Sequence, residues 1–177
     1  MKITLTGASG FLGGKLIAKL LAEDHQLHVL GRKRPANLSG SAKFSEWDAM
    51  TAEVPVEAVD GADAILHLAG EPVAQKWDET VKRRIRESRV RGTNALVAAI
   101  AKASARPKAL IAASAIGFYG SRGEERLTEE SAPGSGFLPE VCVAWEQAID
   151  QAGAYVPRIV KLRIGIVLGA GGGALEK

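Results

Sequence analysis

A doubly wound α/β fold built on a parallel sheet is the architecture this chain predicts, and three features predict it. A short apolar and β-branched run, Ile3-Thr4-Leu5, leads into the turn Thr6-Gly7-Ala8-Ser9-Gly10-Phe11-Leu12-Gly13 and then an amphipathic segment reaching Leu21. Further buried-strand runs at 26–30, 62–70, 108–114 and 158–168 alternate with helical patterns. Strands alternating with helices imply crossover connections, and so parallel strands with helices on both faces.

The glycines of the first turn have a physical purpose. Those at 7, 10 and 13 allow a tight turn, a close approach of phosphate to free amides at the helix start, and close helix–strand packing. Three glycines at this spacing are a weak signal alone; their position between strand and helix is the context the motif requires.

The remaining elements follow in order. Gln26-Leu27-His28-Val29-Leu30 is a second strand ended by Gly31, followed by a basic, Pro- and Gly-punctuated loop over 32–40. A short third strand fits 43–48, and the run 62–70, closed by Gly70, is a fourth. A long helix over 77–104 presents Val81, Ile85, Ser88, Gly92, Ala95, Leu96 and Ala99 on one small or apolar face. The fifth strand, 108–114, enters Gly117-Phe118-Tyr119-Gly120 and a polar loop to about residue 137. Pro139 and Glu140 suit the first turn of a helix running to about Gly153, with Val141, Trp145 and Ala148 on one face. The last strand spans 158–168. The chain then enters a glycine loop, 169–173, that leads toward a further helix. A domain seldom stops this way, so residues 1–177 are expected to form one domain of a longer chain.

Composition bounds the function. At 177 residues, with 46% hydrophobic and 24% charged residues, the chain can bury a sizeable core. No apolar run approaches the ~18 residues needed to span a membrane. The N-terminus enters a strand directly instead of a signal peptide. One cysteine, Cys142, excludes an internal disulfide framework and suits a cytoplasmic setting. His25, His28 and His67 have no metal-ligand spacing, so no metal is expected. The net charge of +3 is mild, and the basic run 82–91 spreads its charges around the helix, which predicts a solvated helix and no nucleic-acid partner.

In folds that hold NAD, an acidic residue about 20 positions beyond the glycines bonds the adenosine ribose. Here that place reads Gly31-Arg32-Lys33, and no Asp or Glu occurs from His25 to Ser45. A carboxylate would repel a 2′-phosphate, whereas a guanidinium and an ammonium pair with it. The expected cofactor is therefore NADP.

The glycine motif, Leu68-Ala69-Gly70 and Tyr119-Gly120 resemble the extended short-chain dehydrogenases/reductases, the class of nucleotide-sugar epimerases. Further segments resemble an atypical subgroup, the epimerase family proteins. These are His67 through Pro72, Trp77, Lys82, Ile85, Ser88-Arg89-Val90 with Thr93, Phe137 through Cys142 with Trp145-Glu146, and Arg163 through Gly169. The resemblance covers essentially the whole chain and implies a Rossmann domain that lacks a smaller C-terminal substrate part. It implies that amides around Ser9, Gly10, Phe11 and Leu12 hold the pyrophosphate, Arg32 and Lys33 the 2′-phosphate, and Asp48 the adenine. Leu68, Ala69 and Gly70 would pass beneath a ribose, Arg89 would reach the cofactor from its helix, and Val167 would touch the nicotinamide. The partners implied are a small-molecule substrate such as a nucleotide sugar, and a second copy docked through the helices over 77–104 and 138–153.

The catalytic positions depart from that family. Its working members use a Ser or Thr after the fifth strand, then a Tyr and a Lys four apart on the next helix. The corresponding positions here are Ala115, with Ser114 beside it, then Cys142 and Glu146. The i, i+4 spacing places Cys142 and Glu146 on one helix face, toward the nicotinamide. A lysine lowers a tyrosine pKa, whereas a glutamate disfavours a neighbouring thiolate. Cys142 reads as a packed thiol, Glu146 as an acceptor for ribose hydroxyls, and Ser114 as a contact to substrate or nicotinamide. Two functions follow: an epimerase or oxidoreductase with a non-standard site, or an NADP-binding sensor or interaction protein without catalysis.

Overall fold

The computed structural model describes residues 1–39 and 42–174. In chain order the main elements are β1 (Lys2–Thr6), α1 (Phe11–Ala22), β2 (Gln26–Gly31), β3 (Lys43–Glu46), β4 (Ala64–His67), α2 (Glu79–Lys102), β5 (Ala109–Ala115), α3 (Phe137–Asp150) and β6 (Arg158–Ile164). The six strands form one sheet in the order β3-β2-β1-β4-β5-β6, and every neighbouring pair is parallel. This is the predicted doubly wound α/β architecture.

Alternation along each strand explains the near-continuous apolar runs, because both faces of the sheet are covered. Ile3, Leu5, Leu27 and Val29 pack with Ile17 of α1 on one side. On the other, Ile65, Leu110 and Ala112 meet Leu96 and Ile100 of α2 and Trp145 and Ile149 of α3. Each fully buried Leu or Ile contributes roughly 2 kcal/mol.

Element ends shift from expectation where caps decide them. The Asp78 carboxylate accepts from the Val81 amide at 2.7 Å, so α2 starts at Glu79 and Trp77 lies outside it. Gly136, at φ +101, lets α3 start at Phe137, with Pro139 in the first turn, where no helical N–H is needed. A 3-10 turn, Gln151–Ala154, extends it. The strand expected over 62–70 pairs only from Ala64 to His67, leaving residues 68–70 as an irregular strap.

The largest difference lies at the end of the chain. β6 stops at Ile164, opposite Ala115, the last residue of β5, because no neighbour remains to continue the ladder. Val167 is therefore in a loop, followed by a small antiparallel hairpin of β7 (Leu168–Gly169) and β8 (Gly172–Gly173). Gly172 needs its glycine: a Cβ there would overlap the Phe11 ring. Residues 175–177, where a further helix is expected to begin, lie outside the described residues, as do Gly40 and Ser41 of the basic loop.

Candidate functional site

The sheet order reverses between β1 and β4, and in open α/β sheets ligands bind outside the strand ends at that crevice. The β1–α1 turn and the 68–70 strap meet there. Gly7, at φ +74, approaches the strap so closely that a Cβ would stand 2.5 Å from the Leu68 carbonyl carbon. The Gly10 amide donates to the Gly7 carbonyl at 3.1 Å and closes the turn. Gly10 caps α1 with no side chain, and the first turn carries no acidic residue. The amides of Phe11, Leu12 and Gly13 thus have no helical acceptor and sit at the positive end of the helix. A Cβ on Gly13 would overlap the Gly7 carbonyl oxygen, so this packing also needs glycine.

A cavity of about 280 Å³ opens beside this turn; Ser9, Gly10, Gly31, Arg32, Lys33, Asp48 and Gly70 are among its lining residues. Of the three cations after β2, Arg34 is already engaged, donating to the carbonyls of Ser39 and Ala42. Among the described residues Arg32 and Lys33 make no ion pair, and both are exposed at the rim. Asp48 accepts from the Met50 amide at 2.8 Å, which fixes the 48–50 turn at the cavity wall. Phe11, Leu12, Gly13, Leu68 and Val167 line a second, wider cleft on the α1 side, with Ala113 and Ile164. The uncapped amides, the narrow glycine turn and the unpaired rim cations together suit a phosphate-bearing dinucleotide.

A buried polar chain behind the crevice holds the strap in place. Thr6 Oγ1 accepts from the amides of both Leu68 and Ala69 at 3.1 Å. With both lone pairs used, its own proton goes to His67 Nδ1, 2.8 Å away. His67 therefore carries its proton on Nε2 and donates to Thr93 Oγ1 at 3.0 Å, where the Trp145 indole N–H also donates at 3.1 Å. His67 is fully buried, and burial pushes its pKa down to about 4, so it is neutral.

The residues expected to act in catalysis are brought together, but with partners of their own. Ser114 donates to Glu146 Oε1 at 2.5 Å. Arg163 of β6 grips the same carboxylate with two prongs, Nε to Oε1 and Nη2 to Oε2, each at 2.9 Å. Its Nη1 donates to the Tyr119 hydroxyl and the Glu129 carbonyl, both at 2.9 Å, and its guanidinium stacks 3.6 Å over the Phe118 ring. Burial opposes ionisation of Glu146, but the hydrogen bonds from Arg163 and Ser114 outweigh it and hold its carboxyl below the usual range. Cys142 is buried against Phe118 and Tyr119. Burial, more than Glu146, pushes its thiol up. Neither Cys142 nor Glu146 is among the residues lining the two cavities described.

Sequence reasoning singled out Ser114 and Glu146 and missed Arg163 and Tyr119, which complete their network. The available signal was a buried helical glutamate in want of a cation. Arg163 lies on a strand whose alternate residues, Lys161 and Arg163, face α3, where Lys161 pairs with Asp150 at 2.7 Å. Arg89 sits between the strap and α3, its guanidinium 5.0 Å over the Trp145 ring. Among the described residues no group of three or more potential ligands could hold a metal, and no helix is long and apolar enough to cross a membrane.

Fold and crevice together define a Rossmann-type domain with NAD(P)-binding architecture. A model of the NAD dependent epimerase/dehydratase family matches residues 3–174, and the chain belongs to that family. It is similar to the chloroplastic SDR39U1 homolog of Arabidopsis thaliana, an epimerase family protein. The two are 37% identical over 187 residues, covering 99% of this chain and 51% of that protein. Among solved structures it is similar to a nucleoside-diphosphate sugar epimerase from Corynebacterium glutamicum (36% identity, TM-score 0.80, 99% of this chain and 36% of that one). It is also similar to human epimerase family protein SDR39U1 with NADPH (30% identity, TM-score 0.79, 99% and 57%). The chain spans a little over half the length of the curated relatives it matches.

Proposed function

We propose that the chain binds NADP in the β1–β4 crevice and serves hydride chemistry of the epimerase or oxidoreductase kind on a small-molecule substrate. The relative named as a nucleoside-diphosphate sugar epimerase makes nucleotide sugars the substrate class to test first. One observation carries the cofactor: among the described residues Arg32 and Lys33 make no ion pair at the cavity rim, while Arg34 is spent on its own loop. A 2′-phosphate there gains two charge-assisted contacts, whereas the bare ribose of NAD gains no carboxylate partner at the end of β2. The SDR39U1 structure that holds NADPH supports the same reading.

In this reading Ser9, Gly10, Phe11, Leu12 and Gly13 hold the pyrophosphate, with Gly7 shaping the turn and Gly31 ending the strand beside it. Asp48 flanks the adenine, Leu68, Ala69 and Gly70 pass beneath a ribose, and Val167 lies toward the nicotinamide. Ser114 lies beside Ala115, the counterpart of the family's Ser or Thr. Its single proton is committed to Glu146, so toward a substrate it offers lone pairs. A cytoplasmic setting suits the single buried thiol, and a homodimer through α2 and α3 carries over from the family resemblance. Fluorescence titration with NADPH and NADH tests the reading: tighter NADPH binding is expected, and equal affinities overturn it.

A second reading, an NADP-binding sensor without catalysis, is favoured by one feature. Glu146 stands where the family has its lysine, and its carboxylate is saturated by Arg163 and Ser114. Following NADPH absorbance with a panel of carbonyl compounds and nucleotide sugars separates the two. Turnover of any one supports the enzyme, and binding without turnover supports the sensor.

A further inference from the structure

Among the described residues that line the wider cleft, on the α1 side of the crevice, none carries a side-chain nitrogen or oxygen atom. Leu68, Ala113, Ile164, Ile166 and Val167 form much of its wall. The cleft holds about 500 Å³, against about 280 Å³ beside Arg32 and Lys33, and Gly7, Gly10 and Leu68 line both. The two spaces therefore meet at the glycine turn. Exposure points to a ligand as well. Ile116, Ile166 and Leu168, in the segments that follow β5 and β6, are large apolar side chains left 51%, 78% and 64% exposed. A Cβ on Gly165 would stand 3.6 Å from Ile116 Cδ1, so Ile116 lies against the backbone next to Ile166. Apolar side chains gathered in this way mark a surface that a ligand covers.

The position indicates which ligand. In the dinucleotide reading, Arg32, Lys33 and Asp48 mark the β2–β3 side of the crevice as the adenosine side, and the pyrophosphate sits at the glycine turn. The reactive end then extends over the ends of β5 and β6, and whatever reacts there shares the wider cleft with it. A sugar ring would bring hydroxyls into a space whose side chains offer neither donor nor acceptor. Polar groups buried without partners are costly. The amides of Phe11, Leu12 and Gly13 go to the pyrophosphate in the same reading, and Ser114, Glu146 and Arg163 bond to one another. An alkyl or aryl group forfeits no hydrogen bond there and gains by leaving water.

We propose that this cleft takes an apolar substituent of the substrate, an aliphatic or aryl group on the carbonyl or alcohol carbon that meets the cofactor. The inference rests on the dinucleotide reading above and narrows the substrate class from the hydroxylated ring of a sugar to an apolar ketone, aldehyde or alcohol. Ile116 and Ile166 are its specificity-determining residues.

Binding is read without turnover by using the oxidised cofactor. The protein saturated with NADP+ is titrated calorimetrically with 2-butanone, 2-hexanone and 2-octanone, and with dihydroxyacetone and UDP-glucose as polar counterparts. Ketone and NADP+ are both oxidised, so no hydride passes and the heat reports binding alone. Affinity is expected to rise roughly fourfold for each methylene buried along the ketone series, with a negative heat-capacity change. Both polar compounds should bind more weakly than 2-octanone. Ile116→Asn and Ile166→Asn replace exposed side chains, so the core stays packed, and each is expected to flatten the rise. An affinity that does not climb along the series, a climb that both variants keep, or tighter binding of UDP-glucose than of 2-octanone overturns the apolar assignment while sparing the NADP reading. Failure of the unaltered protein to bind NADP+ in the first titration overturns both.

Discussion

Glu146 of α3 and Arg163 of β6 form a two-pronged ion pair with both hydrogen bonds at 2.9 Å, and the Glu146 side chain is only 7% exposed. Their helix and strand are thereby locked together at the edge of the sheet, with Ser114 and Tyr119 tied to the same pair. Removing one partner of such a pair leaves a buried charge uncompensated. Arg163→Met is expected to destabilise the fold by about 3 kcal/mol. Adding Glu146→Gln should recover part of that loss, because the stranded charge is gone. Urea denaturation of the single and double variants measures the coupling, and additive losses would show that the pair contributes nothing beyond its members.

Stability should fall in two separate steps as pH is lowered. His67 is neutral and buried, with its pKa pushed down to about 4. Between its ordinary 6.5 and that value the unfolded chain takes the proton first, so stability drops by about 3 kcal/mol as pH falls through this window. Burial also lowers His28, which adds to the same step. Glu146 has the depressed pKa of an engaged carboxylate, so its contribution is full above the ordinary carboxylate range and lost as pH falls through its lower folded value. Urea titrations at pH 7, 5 and 3 resolve the steps. His67→Gln should flatten the upper one and Glu146→Gln the lower.

Two adjacent glycines of α1 should respond oppositely to the same substitution. Gly13 faces the Gly7 carbonyl with no room for a methyl group, whereas a Cβ on Gly14 meets nothing within 4 Å. Gly14→Ala is expected to stabilise the protein by about 1 kcal/mol through helix propensity. Gly13→Ala should distort the turn, lower the melting temperature and weaken dinucleotide binding. Thermal melts with and without NADPH distinguish the two effects.

The strand and helix order was legible because burial on both faces writes itself into continuous apolar runs, as at 26–30 and 108–114. The glycine turn was legible because only glycine tolerates the Gly7 backbone and the Gly13 contact. Element ends were not, since they depend on single hydrogen bonds such as Asp78 to the Val81 amide, or on having a neighbour, as β6 does only to Ile164. Ser114, Cys142 and Glu146 could be located only through the family resemblance, as counterparts of its catalytic positions on β5 and α3. Arg163 could not be assigned to Glu146, because the pairing depends on how β6 registers against β5 beside α3. His67 similarly reads as one strand residue, and its link from Thr6 to Thr93 emerges only when β1, β4 and α2 are assembled.

Whether Arg32 and Lys33 read a 2′-phosphate is decided by the NADPH and NADH affinities of the double variant Arg32→Ala/Lys33→Ala beside the unaltered protein. NADPH binding is expected to weaken to about the level of NADH, roughly tenfold or more, the worth of a lost charge-assisted contact. NADH affinity should stay where it was. A double variant that still prefers NADPH by the original margin would contradict it.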